Sequence, residues 1–376
     1  MTHHLTPRPA PRPRVFCAIV PPHILTRLSE SSNPAHAEAA RRTLAADAAH
    51  RSARIAVATR SATADSHAGA AADADADSGS DTSTSADSPQ RTIYDAQHRT
   101  VLPGKKVRGE GDAASKDASV NRAYAGLGAT YDLYHKVFGR RSIDGAGMPL
   151  PASVHYDRKY DNAFWDGERM VFGDGDGDLF LDFTIPVDVI GHELSHGFTQ
   201  HTANLAYYGQ SGALNESVSD VFGSLVKQYA LGQTAADADW LIGEGLLGPA
   251  VDKGVALRSM KAPGTAYDDD VLGKDPQPAT MDHYVRTGSD NGGVHVNSGI
   301  PNHAFYLLAT ELGGSAWERA GRIWYDVMTG GTLSEDATFA EFARATVASA
   351  RTLFGDGGAE NEAVLKAWST VGVPTS

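Results

Sequence analysis

The segment Gly191-His192-Glu193-Leu194-Ser195-His196-Gly197 constrains this chain more than any other. Residues four apart share a face on an α-helix, so a helical segment aims both imidazoles, His192 and His196, at one ion. Glu193 adjoins the first histidine and projects beside that ion, where a carboxylate can take a proton from an attacking water. The plainer alternative makes both histidines polar residues on an amphipathic helix. The rest of the chain must decide between the two.

A zinc site in a hydrolase takes three protein ligands and keeps one position open, so a further donor is expected on a neighbouring element. Glu216 fits, within the helical pattern Gly212-Ala213-Leu214-Asn215-Glu216-Ser217-Val218-Ser219-Asp220. Asp220 follows one helical turn later and can hydrogen-bond the free ring nitrogen of His192. Taken alone, both acids read more readily as a solvated helix face than as metal-site residues.

Composition narrows the setting. A chain of 376 residues, 41% hydrophobic, can bury a large core and has room for two domains plus an appendage. A formal net charge of -13 argues against nucleic acid as a partner, because phosphate backbones demand clustered Lys and Arg. No apolar run reaches the roughly 18 residues that a membrane span requires. Cys17 is the only cysteine, so no intramolecular disulfide can form and a zinc site must rest mainly on His and carboxylates. Met1 to Arg14 is rich in Pro and Arg, and the apolar run Val15 to Val20 is too short for a secretory signal core. Export by another route stays open.

From Ser61 to Gln90 the chain is almost entirely Ala, Asp, Ser, Thr and Gly without an aromatic residue, the composition of a flexible acidic linker over 61–90. Before it, residues 1–60 hold Pro21-Pro22-His23-Ile24-Leu25 and an Ala-rich helical stretch, Ala35 to Ala56, too small for a core of its own. After it, Thr92–Tyr94, Val154–Tyr156, Met170–Phe172 and Leu179–Phe183 carry strand signals. Ser119–Phe138 repeats apolar residues at helical spacing and stops at Gly139. Beyond Pro186 helices dominate: Pro301–Leu312, Ala316–Met328, and a run to Phe354 that starts from a capping box of Thr338 with Glu341. The expected class is α+β with two lobes, β-rich over 91–203 and helical over 204–376, and the histidine helix between them.

Several separated motifs over Thr92 to Val373 together resemble the thermolysin family of metallopeptidases. Asn162-Ala163-Phe164-Trp165 is similar to its substrate-binding edge strand and Gly173-Asp174-Gly175-Asp176-Gly177 to the turn after its next strand. Asp290-Asn291-Gly292-Gly293-Val294-His295-Val296-Asn297-Ser298-Gly299-Ile300 is similar to its second catalytic segment. The resemblance implies one catalytic Zn²⁺ on His192, His196 and Glu216, with Glu193 as base, His295 oriented by Asp290, and Tyr207 beside His295 as a second donor to the oxyanion. It further implies that Arg258 grips a substrate carbonyl while Asn162 and the backbone of Ala163 hold an extended peptide. Val189, Ile242 and Leu257 match positions lining the pocket for the residue after the scissile bond. An apolar pocket rewards burial of a Leu, Phe or Ile side chain by roughly 1.5 to 3 kcal/mol, so cleavage on the amino side of such residues is expected.

Departures from the family pattern matter as well. Asp188, Asp239 and Glu244 match acidic members of a paired calcium site, but Lys227 and Leu241 stand where the family commonly has glutamates. One Ca²⁺ at most is expected, with the Lys227 ammonium neutralising the remaining acids. The front segment resembles the short propeptide of protealysin-like members, which makes the chain a zymogen that its own propeptide inhibits. Cys17 reads either as a thiolate filling the open zinc position or, more ordinarily, as a small buried side chain. The resemblance points to an extracellular enzyme acting on peptides and proteins, the missing signal run to a cytoplasmic one. The competing function is a noncatalytic zinc-binding or protein-interaction module on the same fold, which would have no need of a base at Glu193.

Overall fold

The computed structural model describes residues 17–65 and 88–376, with residues 52–65 by backbone only. Met1 to Phe16 and residues 66–87, which hold most of the expected linker, lie outside the described residues. Helices α1 (Pro22–Ser29) and α2 (Pro34–Asp65) form the front segment, and α2 continues past Ala56 into the first residues of that linker. Expected helix and observed helix thus agree at the start and differ at the end.

The β-rich lobe is one five-stranded sheet in the order β2 (Lys105–Gly109), β1 (Arg91–Arg99), β3 (Leu150–Tyr156), β5 (Met170–Phe172), β4 (Ala163–Trp165). β1, β3 and β5 run parallel, and the two edge strands, β2 and β4, are antiparallel to their neighbours. β2 carries Lys105, Lys106 and Arg108, the charge that protects an edge and also hides a strand from an apolar pattern. Leu179–Phe183 is not a strand. It makes a single bridge, Phe180 with Leu247, while Leu179, Phe180 and Phe183 anchor a loop through full burial. Burial without alternation there produced the strand signal.

Helix α3 (Ala118–Asp132) is capped by the Asp117 side chain and passes into a wider π turn over Leu133–Val137 before Gly139, within the expected limits. Two long helices then carry the centre of the molecule: α4 (Val187–Gln200) and α5 (Gly209–Leu231). They pack unusually close because Gly191 faces Gly223. A Cβ added at Gly223 would fall 2.5 Å from the Asp188 carbonyl oxygen and 3.0 Å from the His192 nitrogen. That approach lets side chains on the facing sides of the two helices meet.

The helical lobe continues through α6 (Asp290–Asn297), α7 (Gly299–Leu312), α8 (Ala320–Thr329), α9 (Phe339–Phe354) and α10 (Ala359–Thr370). The capping box is present in full, Thr338 accepting from the Glu341 nitrogen while the Glu341 carboxylate accepts from the Thr338 nitrogen. α8 starts at Ala320 because residues from Ala316 form turns first. One hydrophobic core runs through both lobes and takes in Ile19, Val20, Ile24, Leu25 and Leu28 of the front segment. No helix among the described residues is long and apolar enough to cross a membrane.

Candidate metal centre and peptide cleft

His192 and His196 stand one turn apart on α4, and Glu216 projects from α5 across the close helix crossing. The Nε2 atoms of the two histidines face each other at 3.1 Å. Their Nδ1 atoms are engaged elsewhere, by the Asp220 carboxylate at 2.7 Å and by the Asn215 side-chain oxygen at 2.8 Å. Each Nδ1 therefore carries the proton, and each Nε2 presents a lone pair. Two lone pairs cannot bond to one another, so the 3.1 Å contact marks a place for a cation. Burial pulls His196 down to about 4, keeping it neutral and ready to ligate.

Glu216 lies 3.6 Å from each of these Nε2 atoms, and its Oε2 is buried with no hydrogen-bond partner. Burial alone would raise its pKa, but His295, His196 and His192 hold it down at about 2, so it stays ionised. Cys17, His192, His196 and Glu216 place their ligand atoms within 4.8 Å of one another. Two neutral imidazoles, one carboxylate and one thiol on this scale are the donor set of tetrahedral zinc. These side chains fit the ion that the sequence implies.

Around this centre the expected partners are gathered. Glu193 is fully buried beside it, its Oε2 accepting from the Trp165 nitrogen at 3.0 Å and its Oε1 free of any partner. Burial first, and then the Glu216 carboxylate, push Glu193 well above the usual carboxylate range. Tyr207 reaches the Glu216 carboxylate and lies 3.4 Å from His295 Nε2. Asp290 holds His295 twice, at Nδ1 (2.6 Å) and at the backbone nitrogen (2.9 Å). That double grip needs the left-handed run Asp290-Asn291-Gly292-Gly293, with φ between 49° and 85°, which folds the chain back under His295 and suits two glycines.

The cleft beside the metal centre contains the chain's own front segment. Cys17 to Val20 runs antiparallel to β4, Ala18 paired with Phe164. The Ile19 nitrogen donates to the Ala163 carbonyl at 3.1 Å and the Val20 nitrogen to the Asn162 side-chain oxygen at 2.9 Å. Arg258 donates to the Ile19 carbonyl at 3.1 Å. Asn162, Ala163 and Arg258 thus hold an extended segment of the chain itself. Val189, Ile242 and Leu257 are buried in the same core as Ile19.

Cys17 lies at the metal centre, its Sγ 2.8 Å from Glu216 Oε1, 2.8 Å from the Tyr207 hydroxyl and 3.6 Å from His295 Nε2. It is buried, in keeping with the ordinary reading, but among ligand atoms and not in a separate core. Burial, then Glu216 and Glu193, raise the thiol well above its ordinary value of 9.0. The acids Asp188, Asp239 and Glu244 are also brought together, around the Lys227 ammonium at 3.5, 2.6 and 3.1 Å.

Several partners escaped the sequence reading. Asn215 and Ser219, which hold His196, lie on the α5 face beside Glu216, and helical spacing from Glu216 could have found Ser219. Asn302 supports Asp220 from α7 at 2.8 Å, and Asp47 of α2 accepts from Asn162 at 3.0 Å. No spacing rule reaches across those separations.

Comparison with known proteins agrees with this site. Residues 61–200 match the catalytic domain of thermolysin metallopeptidase and residues 203–373 its alpha-helical domain. An extracellular metalloprotease of Pectobacterium carotovorum subsp. carotovorum is 48% identical over 96% of this chain and 97% of its own length. Protease PrtS of Photorhabdus sp. (strain Az29) is 54% identical over 77% of each chain. The solved structure of the precursor of protealysin, a metalloproteinase from Serratia proteamaculans, superposes with a TM-score of 0.82 at 49% identity, covering 95% of this chain and 100% of that one. The chain is a zinc-dependent neutral endopeptidase made as a zymogen. It belongs to the thermolysin family of metallopeptidases, in the protealysin-like group with a short propeptide.

Proposed function

We propose that this zymogen hydrolyses peptide bonds on the amino side of bulky apolar residues and that the propeptide, residues 1–60, keeps it latent, with Cys17 to Val20 lying in the cleft. The observation that carries the reading is the antiparallel pairing of Cys17 to Val20 with β4 in the grip of Asn162, Ala163 and Arg258. A released enzyme offers the same donors and acceptors to a substrate strand. The apolar side chains of Val189, Ile242 and Leu257 favour a bulky apolar residue next to the scissile bond.

His192, His196 and Glu216 hold the zinc, which when bound polarises the substrate carbonyl and acidifies water. Glu193, made basic by its burial, takes a proton from the attacking water and delivers it to the leaving amine. The His295 imidazole and the Tyr207 hydroxyl donate to the oxyanion that develops on the carbonyl oxygen, with Asp290 fixing the ring. Cys17 would hold the remaining metal position as a thiolate in the latent form, its Sγ lying 2.8 Å from Glu216 Oε1 and accepting from the Tyr207 hydroxyl. Release requires the chain to be cut within the acidic linker 61–90, after which an extracellular site of action fits the relatives named above.

Casein hydrolysis by the cut protein tests the catalytic half of this reading. Hydrolysis abolished by a zinc chelator, and by Glu193→Gln with zinc content unchanged, is the expected result. Full activity in Glu193→Gln would remove Glu193 from its role and revive the noncatalytic zinc module.

A further inference from the structure

The front segment does more than cover the cleft, because its backbone sits in the frame of a substrate. The Ile19 nitrogen and the Ile19 carbonyl are both held, by Ala163 at 3.1 Å and by Arg258 at 3.1 Å. Ala18 is paired with Phe164, and the next residue of that strand, Trp165, gives its N–H to Glu193. In this antiparallel register Trp165 stands opposite Cys17, so the general base is reached one residue before the Ala18-Ile19 peptide group. Its carbonyl oxygen is 3.8 Å from Cys17 Sγ, which in turn is 2.8 Å from the ligand oxygen Glu216 Oε1. One thiol separates that carbonyl from the metal centre. The residue after the bond is Ile19, apolar and fully buried, the type the cleft accepts.

We infer that Ala18-Ile19 is a second processing site of this zymogen, cut within the same molecule and protected from hydrolysis only while the Cys17 thiol stands between its carbonyl and the metal. The inference rests on the reading of the cleft given above. The step balances as an ordinary hydrolysis. The water oxygen bonds to the Ala18 carbonyl carbon, the bond to the Ile19 nitrogen breaks, and the Ile19 amine takes the proton carried by Glu193. The products are a peptide ending in the Ala18 carboxylate and a chain beginning with the Ile19 amine. No oxidant or reductant is consumed.

The test uses the full-length protein loaded with zinc and followed by intact mass and N-terminal sequencing. Cys17→Ala is expected to lose residues 1–18 and expose Ile19, at a rate unchanged by tenfold dilution, while the parent chain keeps that bond. Ile19→Asp in the Cys17→Ala background should slow this cut by roughly 10- to 100-fold, since the burial that favours it is gone. Cobalt in place of zinc gives a readout independent of turnover: a thiolate-to-metal absorption band in Glu193→Gln that disappears in Cys17→Ala/Glu193→Gln. Absence of an Ile19 terminus in Cys17→Ala, when the enzyme cut in its linker hydrolyses casein, overturns the inference and leaves the peptidase reading intact. Equal cutting at Ala18-Ile19 in the parent chain overturns the protective role of Cys17. A matured enzyme that hydrolyses nothing removes the peptidase reading, and this inference with it.

Discussion

Arg258 and Asp220 are locked in a two-point fork, guanidinium Nε to Oδ2 and Nη2 to Oδ1, both at 2.8 Å. The same Asp220 Oδ1 holds His192 Nδ1. The residue that grips the peptide carbonyl and the residue that binds the metal are therefore oriented by one carboxylate. Burial opposes a charge there, but the Arg258 guanidinium first, and then the hydrogen bond from the His192 ring, hold Asp220 below the ordinary carboxylate range. Asp220→Asn should weaken zinc binding by roughly 10- to 100-fold. Competition against a chromogenic chelator reads this directly, and an unchanged zinc affinity would mean that Asp220 does not orient the ligand.

The oxyanion donors give a second expectation. Tyr207→Phe in the cut enzyme removes a hydroxyl that meets the substrate only as charge develops, so kcat should fall by about 10² to 10³ with KM little changed. A rise in KM at constant kcat would assign Tyr207 to ground-state binding instead.

Lys227 stands where the resemblance leads one to expect a carboxylate of a calcium site, among Asp188, Asp239 and Glu244. Asp188 is fully buried, so removing its cation leaves a buried acid unpaired. Lys227→Met should destabilise the protein by about 3 to 5 kcal/mol. Calorimetric titration of the parent chain should find no pair of tight calcium ions. Two would contradict the view that the ammonium does their work.

His155 supplies a pH signature away from the cleft. Its hydrogen bond to Asp174, opposed by burial and reinforced by Asp117, lifts it from 6.5 to about 9. A raised folded pKa stabilises fully below pH 6.5 and the contribution is lost as pH rises through about 9. His155→Asn, which tolerates the local φ of 55°, should lower Tm below pH 6.5 and leave it unchanged above pH 9. A constant difference across that range would show that the ion pairs are silent.

The metal centre was legible in the sequence because helical spacing is a rigid ruler. His192 with His196, and Glu216 with Asp220, each sit at one-turn separation, and the structure brings all four together. The capping box at Thr338 was legible for the same reason. Sheet edges were harder: β2 lacks apolar alternation, and Leu179–Phe183 has burial without a ladder. Cys17 was least legible. It stands 199 positions from Glu216, on a segment with no periodic pattern, so nothing local fixes which buried surface it meets. Asp47, 115 positions from Asn162, is hidden in the same way.

The central claim is that the cleft built around His192, His196, Glu216 and Glu193 is a working peptidase site closed by the chain's own front segment. Turnover of a fluorogenic peptide with an apolar residue after the scissile bond, measured on zinc-loaded protein before and after a cut in the linker 61–90, tests it most directly. The account predicts no turnover from the uncut chain and full turnover once the segment is released, at equal zinc content. Turnover by the uncut chain at the rate of the cut one would contradict it.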